Sequence, residues 1–327
     1  MRCLVTGGAG FIGSHLVERL LRDGHAVTVV DNCSTGRWEN LQAVSAHPQL
    51  KTIEMAVEEM TTDVLGVGDV DWVFHLAALA DIVPSIQRPL EYHRANVDGT
   101  AVILEMARAG QVKRFVYAAS ASCYGIPAVY PTPESSPIRP QYPYALTKYL
   151  GEQLVLHWGQ VYKLPVVSLR LFNAYGPRAR ATGVYGAVFG VFLAQKLHGQ
   201  PLTVVGDGTQ KRDFVFVTDI VNAFVRAAAS EITGEVLNVG NGNPSSINDL
   251  AELLKGDVIH IPKRPGEPDC TWADITKINR LLDWQPHTPF VEGVRLMVDR
   301  LQEWQAAPVW TPERIAEATR EWFACLS

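Results

Sequence analysis

Cysteine is scarce in this 327-residue chain, and the little there is forms no pattern. Cys3, Cys33, Cys123, Cys270 and Cys325 are odd in number, widely spread and include no C-x-x-C pair. That usage argues against a disulfide framework or a structural zinc site and suits a reducing cytoplasm. No apolar run approaches the length of a membrane-spanning helix. The opening MRCLVTGG is broken by glycines where a secretory leader would stay apolar, so no signal peptide is expected. Lysine and arginine form no block, and the formal charge is -5. Nucleic acid or an anionic membrane is therefore not expected as the main partner, although single basic residues can still hold a phosphate. No internal repeat or low-complexity tract occurs. What the chain has in quantity is apolar residues, 47% of the total, enough for a substantial interior. Its length suits a nucleotide-binding half carrying a smaller lobe.

The first half alternates short β-rich runs with helical stretches: Cys3 to Thr6, Ile12 to Arg22, Ala26 to Asp31, Val70 to Leu76 and Val112 to Ala118. This rhythm predicts βαβ units on a parallel sheet whose apolar strands are covered on both faces. Asn96 to Ala109 and Tyr144 to Tyr162 read as longer helices. Beyond Asn173 the pieces shorten and turn signals appear, as in Tyr175 to Pro177 and Gly206 to Gly208. The expected division is residues 1–173 as the nucleotide-binding domain and 174–327 as a substrate lobe. Part of 214–240 is expected to return to the first domain.

Thr6-Gly7-Gly8-Ala9-Gly10-Phe11-Ile12-Gly13 follows the first predicted strand and opens a helix. Gly7 allows the tight turn, Gly10 lets the backbone approach a pyrophosphate, and Gly13 permits close packing, while the helix N-terminus faces the negative charge. Asp31 stands 18 residues after Gly13, at the end of the second β-run, where a carboxylate accepts hydrogen bonds from the adenosine ribose. It would repel a 2'-phosphate, so NAD is favoured over NADP, with Arg37 nearby as the one opposing feature. The expected fold is a doubly wound α/β sheet of Rossmann type with a smaller C-terminal lobe.

Tyr144 and Lys148 are four residues apart on a predicted helix, hence one turn apart on one face. An ammonium beside a phenol stabilises the phenolate and brings its pKa toward neutrality, which proton abstraction from a sugar hydroxyl requires. The strand running through Val116 to Ala119 delivers Ser120 and Ser122 to the carboxyl edge of the sheet, where open α/β folds bind ligands. Either hydroxyl can donate to the oxygen being oxidised.

These stretches, with HLAA (His75 to Ala78), NVDGT (Asn96 to Thr100), SASCYG (Ser120 to Gly125), YALTK (Tyr144 to Lys148), LRLFNAYGPR (Leu169 to Arg178), GDGTQKRDFVFVTD (Gly206 to Asp219) and RPGEPDCTWAD (Arg264 to Asp274), resemble the extended short-chain dehydrogenase/reductase family, in its NAD-dependent epimerase/dehydratase branch. The resemblance spans nearly the whole chain. It implies Tyr144 as the base, Lys148 as its partner and a holder of the nicotinamide ribose, Ser120 as the catalytic hydroxyl and Ser122 in the sugar pocket. On the cofactor side it implies the glycine fingerprint with Phe11 and Ile12, the segment Asp31, Asn32, Ser34, Thr35 and Gly36, and Ala77, Ala78 and Asn96. Asn173, Arg212 and Arg264 match positions that hold a nucleoside diphosphate. Two departures stand out: Met55-Ala56-Val57 replaces a stretch whose aspartate contacts adenine, and Cys123 replaces a valine, read here as packing. His75 is given no catalytic role, no metal is expected, and the tryptophans after Asp283 read as anchors of the C-terminal helices.

Family dehydratases place an Asp-Glu pair after the catalytic hydroxyl residue, and decarboxylating relatives a glutamate; this chain has Ala121 and Ser122. The resemblance therefore implies a 4-epimerase of a nucleoside diphosphate hexose. The alternatives are a uronate 4-epimerase, an epimerase at another carbon or, from a different class, a non-catalytic NAD-binding sensor or scaffold. Thr182 to Ala187 resembles relatives that take hexoses and N-acetylhexosamines, and Thr271, seventh after Arg264, falls at a position where a small residue admits an acetamido group. Tyr185 could close that volume from another side. The helices Asn96 to Ala109 and Tyr144 to Tyr162 carry apolar residues beyond one sheet's needs, including Val102, Ile103, Leu150 and Leu154, which in relatives build a four-helix bundle across a homodimer.

Overall fold

The computed structural model describes residues 1–61, 70–179 and 187–326. Its strands are β1 (Arg2–Thr6), β2 (Ala26–Asp31), β3 (Leu50–Glu54), β4 (Trp72–His75), β5 (Arg114–Ser120), β6 (Val166–Leu171), β7 (Asn173–Tyr175), β8 (Leu202–Val205), β9 (Lys211–Arg212), β10 (Phe214–Phe216), β11 (Glu235–Val239), β12 (Ser245–Ser246) and β13 (Val258–Ile261). Seven of them form one parallel sheet in the order β11-β6-β5-β4-β1-β2-β3. β4 is buried throughout, and β5 and β6 nearly so, as strands covered on both faces must be. The edge strand β3 escaped the reading of the sequence because its charged, half-exposed residues give no apolar run.

One face is covered by the helices Phe11–Arg22 and Val217–Ala229, which contribute Leu16, Val17, Leu20, Ile220 and Phe224 to the core. The other carries the helices Gly99–Ala109 and Pro143–Tyr162. Pro143 starts the second of these at the position where its fixed φ and missing N–H cost nothing. The helix expected from Asn96 begins instead with a π turn, Arg94–Asp98. Ile103, expected on the outer face of this pair, is fully buried against the sheet; Val102, Leu150 and Leu154 are partly exposed, and Leu146 is 46% exposed.

The C-terminal lobe holds three two-stranded ladders, β7 with β10, β9 with β12 and β8 with β13. Its core is aromatic, with Tyr175 stacked on Phe189 at 4.5 Å and Phe214 on Phe290 at 5.1 Å. The chain returns to the first lobe through the helix Val217–Ala229 and β11, which pairs with β6. Among the described residues no helix is long and apolar enough to cross a membrane. The order of strands reverses between β1 and β4, which opens a crevice at their carboxyl ends. Thr6 and His75 lie side by side there in register.

Candidate active site

A cleft of about 1010 Å³ starts at that crevice and runs between the lobes. At its head the fingerprint turn is shaped by two contacts. Gly7 has φ of 71°, and a Cβ there would stand 2.7 Å from the Ala77 backbone nitrogen; a Cβ on Gly13 would stand within 2.9 Å of the Gly7 and Gly8 backbone. Only glycine fits either place. The helix from Phe11 thus begins close to the sheet, with Gly10, Phe11, Ile12 and Gly13 lining the cleft. Asp31, at the end of β2, accepts from the backbone N–H groups of Ala9 and Cys33, both at 2.9 Å. Burial pushes this carboxyl above its ordinary value against the pull of those bonds and one from Gly10. Asn32, Ser34 and Thr35 continue the same wall, while Gly36 packs on the Ala9 backbone. Met55, Val57 and Glu58 line the next stretch, where the usual aspartate is missing. A glycine turn at a helix start, with an acidic residue closing it, fits a dinucleotide pyrophosphate and its ribose.

Ala77 and Ala78 line the cleft, but Asn96 does not face it. Asn96 is fully buried: its Oδ1 accepts from Leu79 N, and its Nδ2 donates to Leu79 O and Thr147 Oγ1. It clamps the loop after β4 to the helix that carries Tyr144 and Lys148. These bonds make Asn96 a support of the cleft wall.

Beyond the carboxyl end of β5 lies a row of hydroxyls. The Ser120 and Ser122 hydroxyls are 2.8 Å apart, and they lie near enough to the Tyr144 and Tyr142 phenols, respectively, to favour the phenolates. Ser120 also caps the short turn Ala121–Tyr124, which fixes its rotamer. Lys148 is buried one turn from Tyr144, with Nζ 4.3 Å from the Tyr117 ring centroid. Burial brings its pKa down to about 7, opposed by the charge of Glu152. The lowering expected for the Tyr144 phenol is not the net result here. Burial raises it, and the pull downward comes from the Ser120 hydroxyl. Cys123 is buried with its thiol pushed up to about 12, as a packing residue should be.

His75 bridges Thr6 and Thr100, with Nδ1 2.7 Å from one hydroxyl and Nε2 3.0 Å from the other. Thr100 donates its own proton to Asn96 O, so it accepts from Nε2–H, and His75 is the neutral Nε2–H tautomer. Burial drives its pKa down to about 3. Between that value and the unfolded value near 6.5 only the unfolded chain binds the proton, so stability falls as pH drops through this window, by up to about 1.4 kcal/mol per pH unit. Urea midpoints measured from pH 7 to 4 are expected to fall less steeply for His75→Gln than for wild type. An unchanged slope would assign the acid sensitivity to other groups.

Across the cleft, Arg212 on β9 and Arg264 converge on one half-buried carboxylate. Glu267 Oε1 is 2.8 Å from Arg212 Nη2, and its Oε2 is 3.0 Å from Arg264 Nε. Both guanidinium groups line the cleft, and a planar guanidinium fork suits the oxygens of a diphosphate. Asn173, on β7, accepts from Thr271 Oγ1 at 2.7 Å, and that oxygen accepts from Asp213 N at 2.9 Å. Thr271 therefore holds Asn173 as well as lining the cleft. The stretch Thr182 to Gly186, including Tyr185, lies outside the described residues.

Several cleft residues were not foreseen. Asp81, in the loop after β4, lines the cleft near enough to Tyr144 for its charge to oppose the phenolate, so one carboxylate does lie by the hydroxyl row. Glu152, four residues after Lys148, was visible as a helical neighbour. It forms a buried fork with Arg170: Nη2 to Oε1 is 2.6 Å and Nε to Oε2 is 3.0 Å, with Ser168 Oγ donating to Oε2 at 3.0 Å. Of the tryptophans after Asp283, Trp284 and Trp304 are core anchors at 1% exposure, but Trp310 and Trp322 line the cleft. Nothing in their sequence context signals this, because the path of the C-terminal helices back to the cleft places them. Among the described residues no group of three or more His, Cys, Asp or Glu side chains is placed to hold a metal.

Residues 3–240 match the model of the NAD dependent epimerase/dehydratase family. A UDP-glucose 4-epimerase of Mycolicibacterium smegmatis is 37% identical over 308 residues, covering 91% of this chain and 98% of that protein. The structure is similar to that of a UDP-N-acetylglucosamine 4-epimerase from Methanobrevibacter ruminantium in complex with UDP-N-acetylmuramic acid, with a TM-score of 0.87, 34% identity and coverage of 93% and 97% of the two chains. It is also similar to a UDP-glucuronic acid 4-epimerase from Bacillus cereus in complex with UDP-glucuronic acid and NAD, at a TM-score of 0.86, 31% identity and 93% and 99% coverage. With the glycine turn, the Ser/Tyr/Lys set and the parallel sheet in one arrangement, the chain belongs to the NAD dependent epimerase/dehydratase family, the extended short-chain dehydrogenase/reductase group of NAD-using enzymes.

Proposed function

We propose that this enzyme is an NAD-dependent 4-epimerase of a nucleoside diphosphate hexose. The observation that carries the reading is the grouping of Tyr144, the bonded pair Ser120 and Ser122, and buried Lys148 at the cleft, with Ala121, not a carboxylate, directly after Ser120. NAD, when bound at the Gly7–Gly13 turn and Asp31, supplies reversible oxidation at the sugar carbon. Tyr144 takes the proton of the hydroxyl being oxidised and later returns it, while Ser120 donates a hydrogen bond to the same oxygen. Epimerisation then requires the sugar to present its other face while its diphosphate stays anchored, a role for Arg212, Arg264 and Asn173. Similarity to a UDP-glucose 4-epimerase, a UDP-N-acetylglucosamine 4-epimerase and a UDP-glucuronic acid 4-epimerase supports a UDP-sugar as the first substrate to test.

Specificity constants for UDP-glucose, UDP-N-acetylglucosamine and UDP-glucuronate test this. Interconversion of the first pair's 4-epimers is expected, and turnover of UDP-glucuronate alone would move the protein to the uronate reading. Thr271→Tyr is expected to weaken all substrates modestly, since it removes the hydroxyl that orients Asn173. It should cost the acetamido substrate a further 5-fold to 150-fold or so, because relieving the overlap of an added ring costs about 1–3 kcal/mol. Thr271→Val, which loses the hydroxyl without adding bulk, should show only the uniform loss. Equal losses in both variants would remove Thr271 as the gate.

The partly exposed stripe Leu146, Leu150 and Leu154 beside Val102 supports a homodimer built on the helices Gly99–Ala109 and Pro143–Tyr162. Light scattering is expected to give twice the chain mass at micromolar concentration. A single chain mass would refute the bundle.

A further inference from the structure

The last twenty residues do not trail away from the molecule. After the turn Leu301–Trp304, Gln195 Nε2 donates to the Trp310 carbonyl at 2.6 Å. Thr311 caps the helix Pro312–Ala318, and Ile315 is buried at 3% exposure. The helix Arg320–Leu326 then packs on the helix Ile82–Gln87 of the nucleotide-binding lobe, and Leu326 lies against Gly266. This segment thus crosses the cleft from one lobe to the other, setting Trp310 at one part of the wall and Trp322 at another.

Trp322 is tied to the turn that carries Arg264 and Glu267. Its Nε1 donates to Pro265 O at 2.8 Å, its ring lies 5.2 Å from the Arg264 guanidinium carbon, and Tyr142 of the hydroxyl row is 6.4 Å away, centroid to centroid. An arginine stacked on an indole is held in one plane, so it gives up less freedom when its donors engage a phosphate. We propose that the C-terminal segment is part of the nucleotide-sugar site. Trp322 walls the cleft and holds Arg264 in line with Arg212 for the diphosphate of a nucleoside diphosphate or nucleoside diphosphate sugar. The proposal rests on the reading of these two arginines given above.

The test is calorimetric titration of the NAD-loaded protein with UDP and with UDP-glucose. Trp322→Ala is expected to weaken both by a similar factor, about 10-fold to 50-fold. KM should rise by that factor while kcat at saturation and NAD retention stay near wild type. Trp322→Phe, which keeps a ring but not the N–H, should recover most of the loss. In the wild-type protein, UDP is expected to slow amide hydrogen exchange across residues 312–326, a readout that stands even if the alanine variant fails to fold. Unchanged UDP affinity in Trp322→Ala, a fall in kcat without a change in KM, or unaltered exchange over 312–326 would each overturn the proposal. A wild-type protein that binds neither UDP nor UDP-glucose would instead bring down the parent reading.

Discussion

Tyr144→Phe is expected to reduce turnover by about 10²-fold to 10⁴-fold while leaving nucleotide-sugar affinity close to wild type. The substitution removes one oxygen from a residue that lines the cleft near Ser120. It takes nothing from Arg212 and Arg264, the residues proposed to hold the diphosphate. Burial holds the Tyr144 phenol above its ordinary value, so the phenolate must be favoured by what surrounds it during the reaction. Two features can do this: the nearby Ser120 hydroxyl, and Lys148, whose pKa near 7 lets it carry or release a proton close to neutrality. Ser120→Ala should therefore lower turnover in the same direction but by less. Single-turnover assays with UDP-glucose, paired with calorimetric affinities, separate the chemical step from binding. If Tyr144→Phe kept more than about a tenth of wild-type turnover, the base would lie elsewhere. Asp81, the carboxylate whose charge acts on this phenol, would be the first residue to replace next.

Glu152→Gln is expected to cost about 3–5 kcal/mol of folding stability, among the largest effects a single polar substitution can have in this fold. Glu152 and Arg170 are 1% and 5% exposed. The carboxylate takes the guanidinium through two donors and also accepts from Ser168. Neutralising it strands a buried cation whose remaining partners are Tyr124, at 2.9 Å from Nη1, and the Glu134 carbonyl. The double variant Glu152→Leu/Arg170→Met should recover much of the loss, because the cost lies in the unpaired charge and not in the packing volume. Urea unfolding of the three proteins measures this directly. A Glu152→Gln variant within about 1 kcal/mol of wild type would show that water reaches Arg170. Glu152 also raises the pKa of Lys148, so the same substitution should move the lysine further below its present value and shift the alkaline limb of activity to lower pH.

Much of this architecture was legible because it is local. The strands β1, β2 and β5 read as apolar runs bounded by turns, since covered parallel strands need apolar residues on both faces. Gly7 and Gly13 were readable because backbone geometry leaves no room for any other residue there. Tyr144 and Lys148 were readable because one helical turn separates them. The sequence alone therefore determined the sheet, the glycine turn and the placing of Tyr144 and Lys148 on one helix. Tertiary structure decided what depends on partners distant in the chain. It turned Asn96 inward to clamp Leu79 and Thr147, brought Arg212 and Arg264 onto Glu267, tied Thr271 to Asn173, and carried Trp322 back across the cleft. It also reversed the expected balance at Tyr144, because the desolvation that raises a phenol's pKa is set by everything packed around it, and the spacing of two residues on a helix carries no record of that burial.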